Sequence, residues 1–489
     1  MGFARNLWRG TKVVVGLPVV GVSGFALWDI IEAKKFASPQ RTPKARHENS
    51  VLVCGAGIVG VSTAYFLARD GYAVTVLDAR PQAGEGASNC AAGLFLLSEK
   101  ILMLQPGYVK DFLVLTVKNF FGVGDGTHIP LRIKPDALAD PYLYRWGVRA
   151  LRTIFTPSIR QNSARVFRDE DHFFINSTMN ICKEEGIEAP IYGPFFKVKH
   201  IPDGADSVKE LGPFDHVEGQ RPTWHKLDDG NRYLGECGKF VRALADVCAK
   251  KYNVKFVYDA QIEAIEMDGT FESVSGVRLK NRRRYCGYDQ VVIAMGAASV
   301  PLLRAIDVEV PVYAARGYAL TVDGVPKELQ PSQEAINWPG YMPSSVFNSE
   351  TGRMRWTTFA EFSKPTLAPH EVPKTEYCVE SLKQLASWLM VDEAKKEDAN
   401  AKKLLTSIKE ADVNVGERPW SSDDLPNVST TRYHNLFINC GHGHWGWRLG
   451  CGSSLLLVDI MSGKQRSPSD LPNLFRLDRH RLIRARFNF

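Results

Sequence analysis

Several absences narrow the reading of this 489-residue chain. No repeat of fixed period runs through it, which excludes a solenoid or a propeller. No C-x-x-C pair occurs among its nine scattered cysteines, so the zinc-ribbon and thioredoxin spacings are absent. An odd number of scattered cysteines suits a reducing compartment with free, buried thiols. No acidic residue precedes Asp29, and the apolar run that begins at Val13 stops at Trp28. Its 16 residues fall short of the roughly 20 that a comfortable membrane span needs. A strong charge imbalance is missing from the body of the chain. Of the net +7, residues 1–50 hold +5 and residues 476–489 hold +4, which leaves the remainder at −2. A basic protein of this kind gives no reason to expect nucleic acid; basic ends suit targeting or an acidic membrane surface.

The N-terminus carries Arg5, Arg9 and Lys12 ahead of the apolar run. A mitochondrial presequence explains the early basic residues and the missing acids. A short single-pass anchor explains the apolar run, with Pro18 and three glycines tolerated inside it. A secretory signal fits least, because no small-residue cleavage site stands out, and the sequons at Asn176 and Asn427 would matter only on that route. The expectation is a basic segment over 1–12, an anchor or presequence over 13–31, a polar linker over 32–49, and a protein associated with the mitochondrial inner membrane.

The stretch SVLVCGAGIVGVSTAYFLARDGYAVTVLDAR, residues 50–80, is the first informative pattern. Val51 to Cys54 is a run fit for a buried parallel strand. Gly55, Gly57 and Gly60 make a GxGxxG turn, a helical pattern follows, and a second strand ends in Asp78. Gly55 serves the tight turn, Gly57 lets the backbone approach a pyrophosphate, and Gly60 lets helix and strand pack closely. The helix N-terminus, at Ile58 and Val59, offers N–H groups and a positive dipole end to phosphates. Asp78, 18 residues after the last glycine, is placed to accept hydrogen bonds from an adenosine ribose. This unit accepts NAD or FAD. A later buried strand in DQVVIAMGAAS (289–299), ending at Gly296, is a habit of flavoproteins with two dinucleotide folds.

At this point the chain resembles the D-amino acid oxidase superfamily, and within it the D-amino acid dehydrogenase (small subunit) branch, over about residues 50–465. GECGKFVRALAD (235–246), PVYAARGYALTV (311–322), GERPWSSDDLP (416–426) and NCGHGHWGWRLGCGSS (439–454) are similar to stretches of that family. The resemblance implies an α/β fold: an FAD-binding two-dinucleotide-fold (Rossmann-like) domain interleaved with a β-rich α+β substrate domain. The FAD domain is expected over 50–130, 225–310 and 410–465, and the substrate domain over 131–224 and 311–409. A basic tail is expected over 466–489.

The resemblance also implies the site. The glycine-rich loop at 441–446 is expected to pass under the flavin ring, with a helix from Cys451 presenting its N-terminus to the flavin. FAD contacts are expected from Gly55, Gly57, Ile58, Val59, Gly60, Asp78, Ala79, Ser88, Gly93, Gly296, Gly441, Gly443, Gly446 and Trp447. Arg418 stands at the family's carboxylate-clamp position, where a planar bidentate donor is the natural choice. His444 is a candidate for touching substrate, and Tyr318 and Arg316 are further pocket candidates. His442 is expected to brace the loop. The two histidines lack a third ligand at useful spacing, so no metal site is expected. Cys90, in SNCAAGLF, stands where dimethylglycine and sarcosine dehydrogenases have a flavin-bound histidine; a free buried thiol is the expectation here.

Two features depart from the family. Asp424 replaces a glycine, and Ser429 another, where a negative charge could displace the flavin loop. Residues 391–412 look like an inserted charged helix, a solvated face or a docking surface. The function implied is oxidation of a D-amino acid or related small amine by hydride transfer to FAD, with electrons passing to a quinone or respiratory-chain acceptor. The alternative is a non-catalytic flavoprotein subunit or assembly factor of a mitochondrial respiratory complex.

Overall fold

Val51, Leu52, Val53 and Cys54 are apolar without a break, so a strand made of them must be covered on both faces. In the computed structural model all four are buried, within β1 (Ser50–Cys54). The structure describes residues 49–92, 131–187, 233–270, 272–325, 352–380 and 412–480, with short pieces at 94–95, 104, 106, 191–192, 335–337, 344–348, 382–383 and 399. The expected N-terminal anchor, Gly93 and nearly all of the inserted segment 391–412 lie outside them. No described helix is long and apolar enough to cross a membrane.

From β1 a glycine turn leads into α1 (Ile58–Arg69) and back to β2 (Ala73–Leu77). Next come β3 (Leu131–Ile133) and the helices α2 (Pro141–Phe155), α3 (Pro157–Asp169) and α4 (Asp171–Glu185). Helix α5 (Cys237–Tyr252) and β4 (Lys255–Val257) follow, then β5 (Ile262–Met267), β6 (Val274–Leu279), β7 (Arg284–Cys286) and β8 (Gln290–Ile293). The second half supplies β9 (Val312–Val322), β10 (Ala335–Asn337), β11 (Ser344–Asn348), β12 (Arg353–Ser363) and β13 (Val413–Ser421). It ends with β14 (Asn427–Thr430), β15 (Leu436–Cys440), α6 (Gly446–Ser462) and the short α7 (Leu471–Phe475).

Six strands form one sheet in the order β14-β15-β8-β1-β2-β4. All its pairings are parallel except β14 with β15. Helices α1, α4, α5 and α6 share one buried core on one face, and the antiparallel β5–β7 sheet lies over the other. A second sheet runs β10-β11-β12-β9-β13, with β3 added parallel to β12. The expected domain boundaries therefore shift. Residues 413–421, expected in the FAD domain, are an edge of the second sheet, because β13 pairs antiparallel with β9 along its length. Helices α3 and α4, expected in the substrate domain, pack their Phe167, Phe174 and Ile181 into the core beneath the first sheet.

Two other expectations are corrected. Residues 466–489 are not simply a charged tail: Leu471, Phe475 and Leu477 are fully buried, and the segment is packed as far as His480. Counting only its arginines hides that apolar stripe. The helix expected from Cys451 begins five residues earlier, at Gly446. Gly450 and Gly452 sit inside it because two helices press on them. A β-carbon at Gly450 would lie 3.0 Å from Ile58 of α1, and one at Gly452 would lie 2.9 Å from the Phe174 Cα of α4. Glycine to alanine inside a helix normally stabilises by about 1 kcal/mol. Here the sign should reverse: Gly452→Ala is expected to destabilise by about 1–3 kcal/mol through overpacking, read as a fall in the denaturation midpoint. An unchanged or raised midpoint would mean the α4–α6 contact is looser than described.

The second sheet has two unlike faces, set by the alternation of side chains along β9 and β13. Ala315 lies opposite Arg418, and Arg316 opposite Glu417. Arg316, Tyr318, Glu361 and Glu417 thus share the face turned away from Arg418. Arg316 donates to the carbonyls of Val372 and Pro373 (3.0 and 2.9 Å), and Tyr318 Oη donates to Glu361 (3.0 Å). Burial pushes the Tyr318 hydroxyl up to about 12. Burial also outweighs the pull of Arg316 on Glu417 and raises that carboxyl to about 7. The folded state then holds this proton more tightly than the unfolded chain. Its contribution to stability is complete below about 4.5 and is lost as pH rises to about 7. Glu417→Gln should match wild type at pH 5 and gain on it by pH 8, by at most about 3 kcal/mol. Parallel melting curves with a pH-independent offset would show that Glu417 ionises normally.

Candidate active site

The GxGxxG turn is built by contacts that admit no other residue at two of its positions. Gly55 has φ +107°, and a β-carbon there would sit 2.5 Å from the Ala294 carbonyl oxygen. A β-carbon at Gly60 would overlap the Gly55 carbonyl. Gly57 is open by comparison, with only the Ser88 hydroxyl near its missing β-carbon, at 3.4 Å. Ser88 Oγ accepts from the Ile58 amide (3.0 Å), ahead of Val59 in the first turn of α1. Asp78 is engaged locally: its carboxylate accepts from the Ala56 and Arg80 amides (2.6 and 2.8 Å), so it braces the turn from the end of β2, with Ala79 between. Gly296, at φ +60°, opens the turn after β8. A half-buried glycine with open space beside it at a helix N-terminus, flanked by an acid at the end of the next strand, fits the pyrophosphate and ribose of FAD.

The second glycine loop joins β15 to α6. Gly441 (φ +89°) is held against Asn427 and Val312, where a β-carbon would come within 2.7 and 2.9 Å. Gly443 is also left-handed, at φ +55°, and Gly446 is the first residue of α6. His442 braces the loop as expected, with Nε2 at 2.8 Å from Ser453 Oγ on α6. Burial pushes its pKa down to about 3, so the ring is neutral. Trp447 packs against Phe240 of α5, ring centroids 5.2 Å apart, within the helical core. Among the described residues no group of three His, Cys, Asp or Glu is placed to hold a metal ion.

The second loop meets the second sheet beside Arg418. The Gly443 amide donates to the Pro419 carbonyl (2.7 Å), and Trp420 bridges His442 backbone to backbone. Arg418 is half-buried, and its guanidinium lies where a β-carbon of Gly317 would stand. Burial lowers its pKa to about 10, which leaves it a cation at neutral pH. His444 is pushed down to about 3, first by burial and then by the Arg418 charge, which places a neutral imidazole beside a guanidinium. Cys90 packs on Gly416, two residues before Arg418. Burial raises its thiol to about 11 against the pull of Arg355 and Arg418. Arg418, His444 and Cys90 thus form one cluster. Arg316 and Tyr318 do not belong to it; they lie on the opposite face of the sheet.

Sequence reasoning missed three contributors. Gly317 makes room for Arg418. Trp420 stacks on Phe362 (5.7 Å) and meets His444 edge-on (6.3 Å). Asp424 does not press a charge toward the loop: its carboxylate accepts from Trp420 Nε1 and from the Leu104 amide, both at 2.8 Å. Ser429 lies buried on β14, where its hydroxyl accepts from the Leu477 amide (3.4 Å). Strand alternation and the R-G pair could have signalled Gly317; nothing local signals Asp424.

Comparison with known proteins agrees with this geometry. Residues 50–460 match the family model described as DAO, FAD dependent oxidoreductase. The chain is 26% identical over 442 residues to D-amino acid dehydrogenase 2 of Mesorhizobium japonicum, covering 85% of this chain and 97% of that one. It is 27% identical over 444 residues to D-amino acid dehydrogenase of Dechloromonas aromatica, covering 86% and 98%. Among solved structures, glycine oxidase from Geobacillus kaustophilus superposes with a TM-score of 0.51 at 16% identity, over 90% of this chain and all of that one (100%). L-proline dehydrogenase from P. horikoshii gives 0.50 at 14% identity, over 90% and 100%. A family model that spans both glycine loops and the Arg418 strand places the chain in the DAO family of FAD-dependent oxidoreductases, with FAD as its cofactor.

Proposed function

We propose that this protein is an FAD-dependent amino acid dehydrogenase that takes a D-amino acid by its carboxylate on Arg418. One observation carries the reading: a half-buried guanidinium stands on bare glycine backbone at the junction with the flavin loop, beside a neutral histidine. A planar fork in a partly desolvated site is suited to a carboxylate. Neutral His444 can accept a hydrogen bond from the substrate's amino group. With a pKa near 3 it is too weak a base to take that proton at neutral pH. The aromatic wall of Trp420, Phe362, Trp146 and Tyr313 excludes water from one side. The residues of the first glycine turn and of the 441–446 loop would hold FAD, which when bound accepts the hydride from the α-carbon.

The D configuration follows the names of the two bacterial relatives. Attachment to a mitochondrial membrane rests on the early basic residues, the missing acids and the apolar run at the N-terminus, and a quinone acceptor rests on the resemblance to the D-amino acid dehydrogenase branch. The non-catalytic alternative drew support from Asp424 and from the inserted segment 391–412; the Asp424 carboxylate is occupied by Trp420 and Leu104, and nearly all of the segment lies outside the described residues.

Purified protein should be yellow and release FAD on denaturation. Arg418→Ala should keep FAD but lose tens- to hundreds-fold in kcat/KM for amino acids, since each charged hydrogen bond is worth roughly 1.5–3 kcal/mol. Arg418→Lys should not restore it, because an ammonium cannot make the two-point contact. The test is anaerobic flavin bleaching over a panel of D-amino acids and of amines without a carboxylate. Equal loss on both groups of substrates, or no bleaching by wild type, would refute the carboxylate reading.

A further inference from the structure

We propose that Asp424 is a positioning residue: through Trp420 it fixes the wall of the substrate pocket and so selects among amino-acid side chains. The inference rests on the reading of Arg418 given above.

Asp424 is a non-glycine residue in the left-handed region, at φ +62°. Aspartate tolerates that conformation better than most side chains, but glycine adopts it freely. A buried acid at such a position needs a reason, and both oxygens of its carboxylate supply one. Oδ1 accepts from the indole N–H of Trp420, and Oδ2 accepts from the amide of Leu104, each at 2.8 Å and each buried. Without the carboxylate, two buried donors would be left unsatisfied. The neighbouring acid has a separate duty. Asp423 accepts from Arg479 Nε and Nη2 (2.7 and 3.1 Å) and from Ser421 Oγ (3.0 Å).

Trp420 is where that grip becomes functional. It lies two residues beyond Arg418 on the same strand, so both side chains face the same way. Its ring is stacked on Phe362 and meets His444 edge-on, and its backbone bridges His442 in the flavin loop. The Trp146 indole donates to its carbonyl (2.8 Å), so the backbone is held independently of the side chain. The ring's remaining freedom is rotation within its slot, and the bond to Asp424 removes it. A ring released from that bond changes the space beside His444 without moving Arg418. The carboxylate clamp is therefore predicted to survive while discrimination between side chains changes.

The test uses FAD-loaded, full-length protein and three variants: Asp424→Gly, which suits the backbone and deletes both acceptors; Asp424→Asn, which keeps one acceptor oxygen and tolerates the left-handed conformation; and Trp420→Phe, which keeps a ring and deletes the bonded N–H. Melting curves first show which variants are folded. kcat and KM are then measured for D-alanine and D-phenylalanine. Asp424→Gly is expected to keep kcat on its better substrate within about three-fold and to change the ratio of the two kcat/KM values on the order of ten-fold, the scale set by small changes in a pocket. Asp424→Asn should fall between. Trp420→Phe should shift the ratio too, and the double variant Asp424→Gly/Trp420→Phe should fall short of the sum of the single effects, because both break the Trp420–Asp424 bond. If Asp424→Gly does not fold, Trp420→Phe carries the same comparison. A folded, FAD-loaded variant whose ratio is unchanged, or additive effects in the double variant, would overturn the proposal and leave Asp424 a purely structural tie. Wild type inactive on every amino acid is a different failure: it removes the substrate reading, and this refinement falls with it.

Discussion

The site depends on one seam. The amide of Gly443 donates to the carbonyl of Pro419 at 2.7 Å, and the adjacent Trp420 pairs with His442. These are bonds between the loop after one sheet and the edge strand of the other. Each sheet could form from its own apolar pattern, and the seam joins the Arg418 strand to the 441–446 loop. The loop can come so close because Gly441 and Gly443 both take left-handed conformations that a side chain would resist. It is pinned from behind by His442 on Ser453, and α6 in turn is pressed between α1 and α4 at Gly450 and Gly452. A chain of close backbone approaches therefore runs from the helical core to the guanidinium.

The electrostatics of the seam follow from its burial. Both histidines of the loop are driven neutral, and the Cys90 thiol is kept protonated. Arg418 remains charged even though burial lowers its pKa to about 10, because that value still lies well above neutral pH. The cluster thus presents a fixed cation among neutral groups. Such a site attracts an anion over a short range. The titrating group of the same sheet, Glu417, lies on the other face, where its charge changes do not reach the pocket directly.

What could be read from the sequence was what depends on neighbours along the chain. The Val51–Cys54 run, Gly55, Gly60 and Asp78 declare a dinucleotide turn because every contact in it lies within one strand–helix–strand unit. The 441–446 loop was legible for the same reason. Arg316 and Tyr318 were misplaced because strand alternation tells which residues share a face but not which face is which; that needs the register against β13, set by pairing about a hundred residues away in sequence. Their β9 neighbour Gly317, with no side chain at all, is the residue that touches Arg418. The C-terminal segment was misread in a similar way. Its arginines outnumber its acids, yet Leu471, Phe475 and Leu477 bury themselves completely.

The C-terminal segment also holds one of the adjacent acids, Asp423, through Arg479. Burial alone would raise the Asp423 carboxyl, but the Arg479 guanidinium holds it down to about 2. Arg479 also donates to the Leu425 carbonyl, and His480 stands 3.0 Å from Asn427 Oδ1, the same Asn427 that crowds Gly441. The end of the described chain thus neutralises one acid and supports the start of β14 under the flavin loop, while Trp420 and Leu104 engage the other. Two adjacent aspartates are tolerable in a buried turn because each carboxylate has its own donors, Arg479 and Ser421 for Asp423 and Trp420 and the Leu104 amide for Asp424.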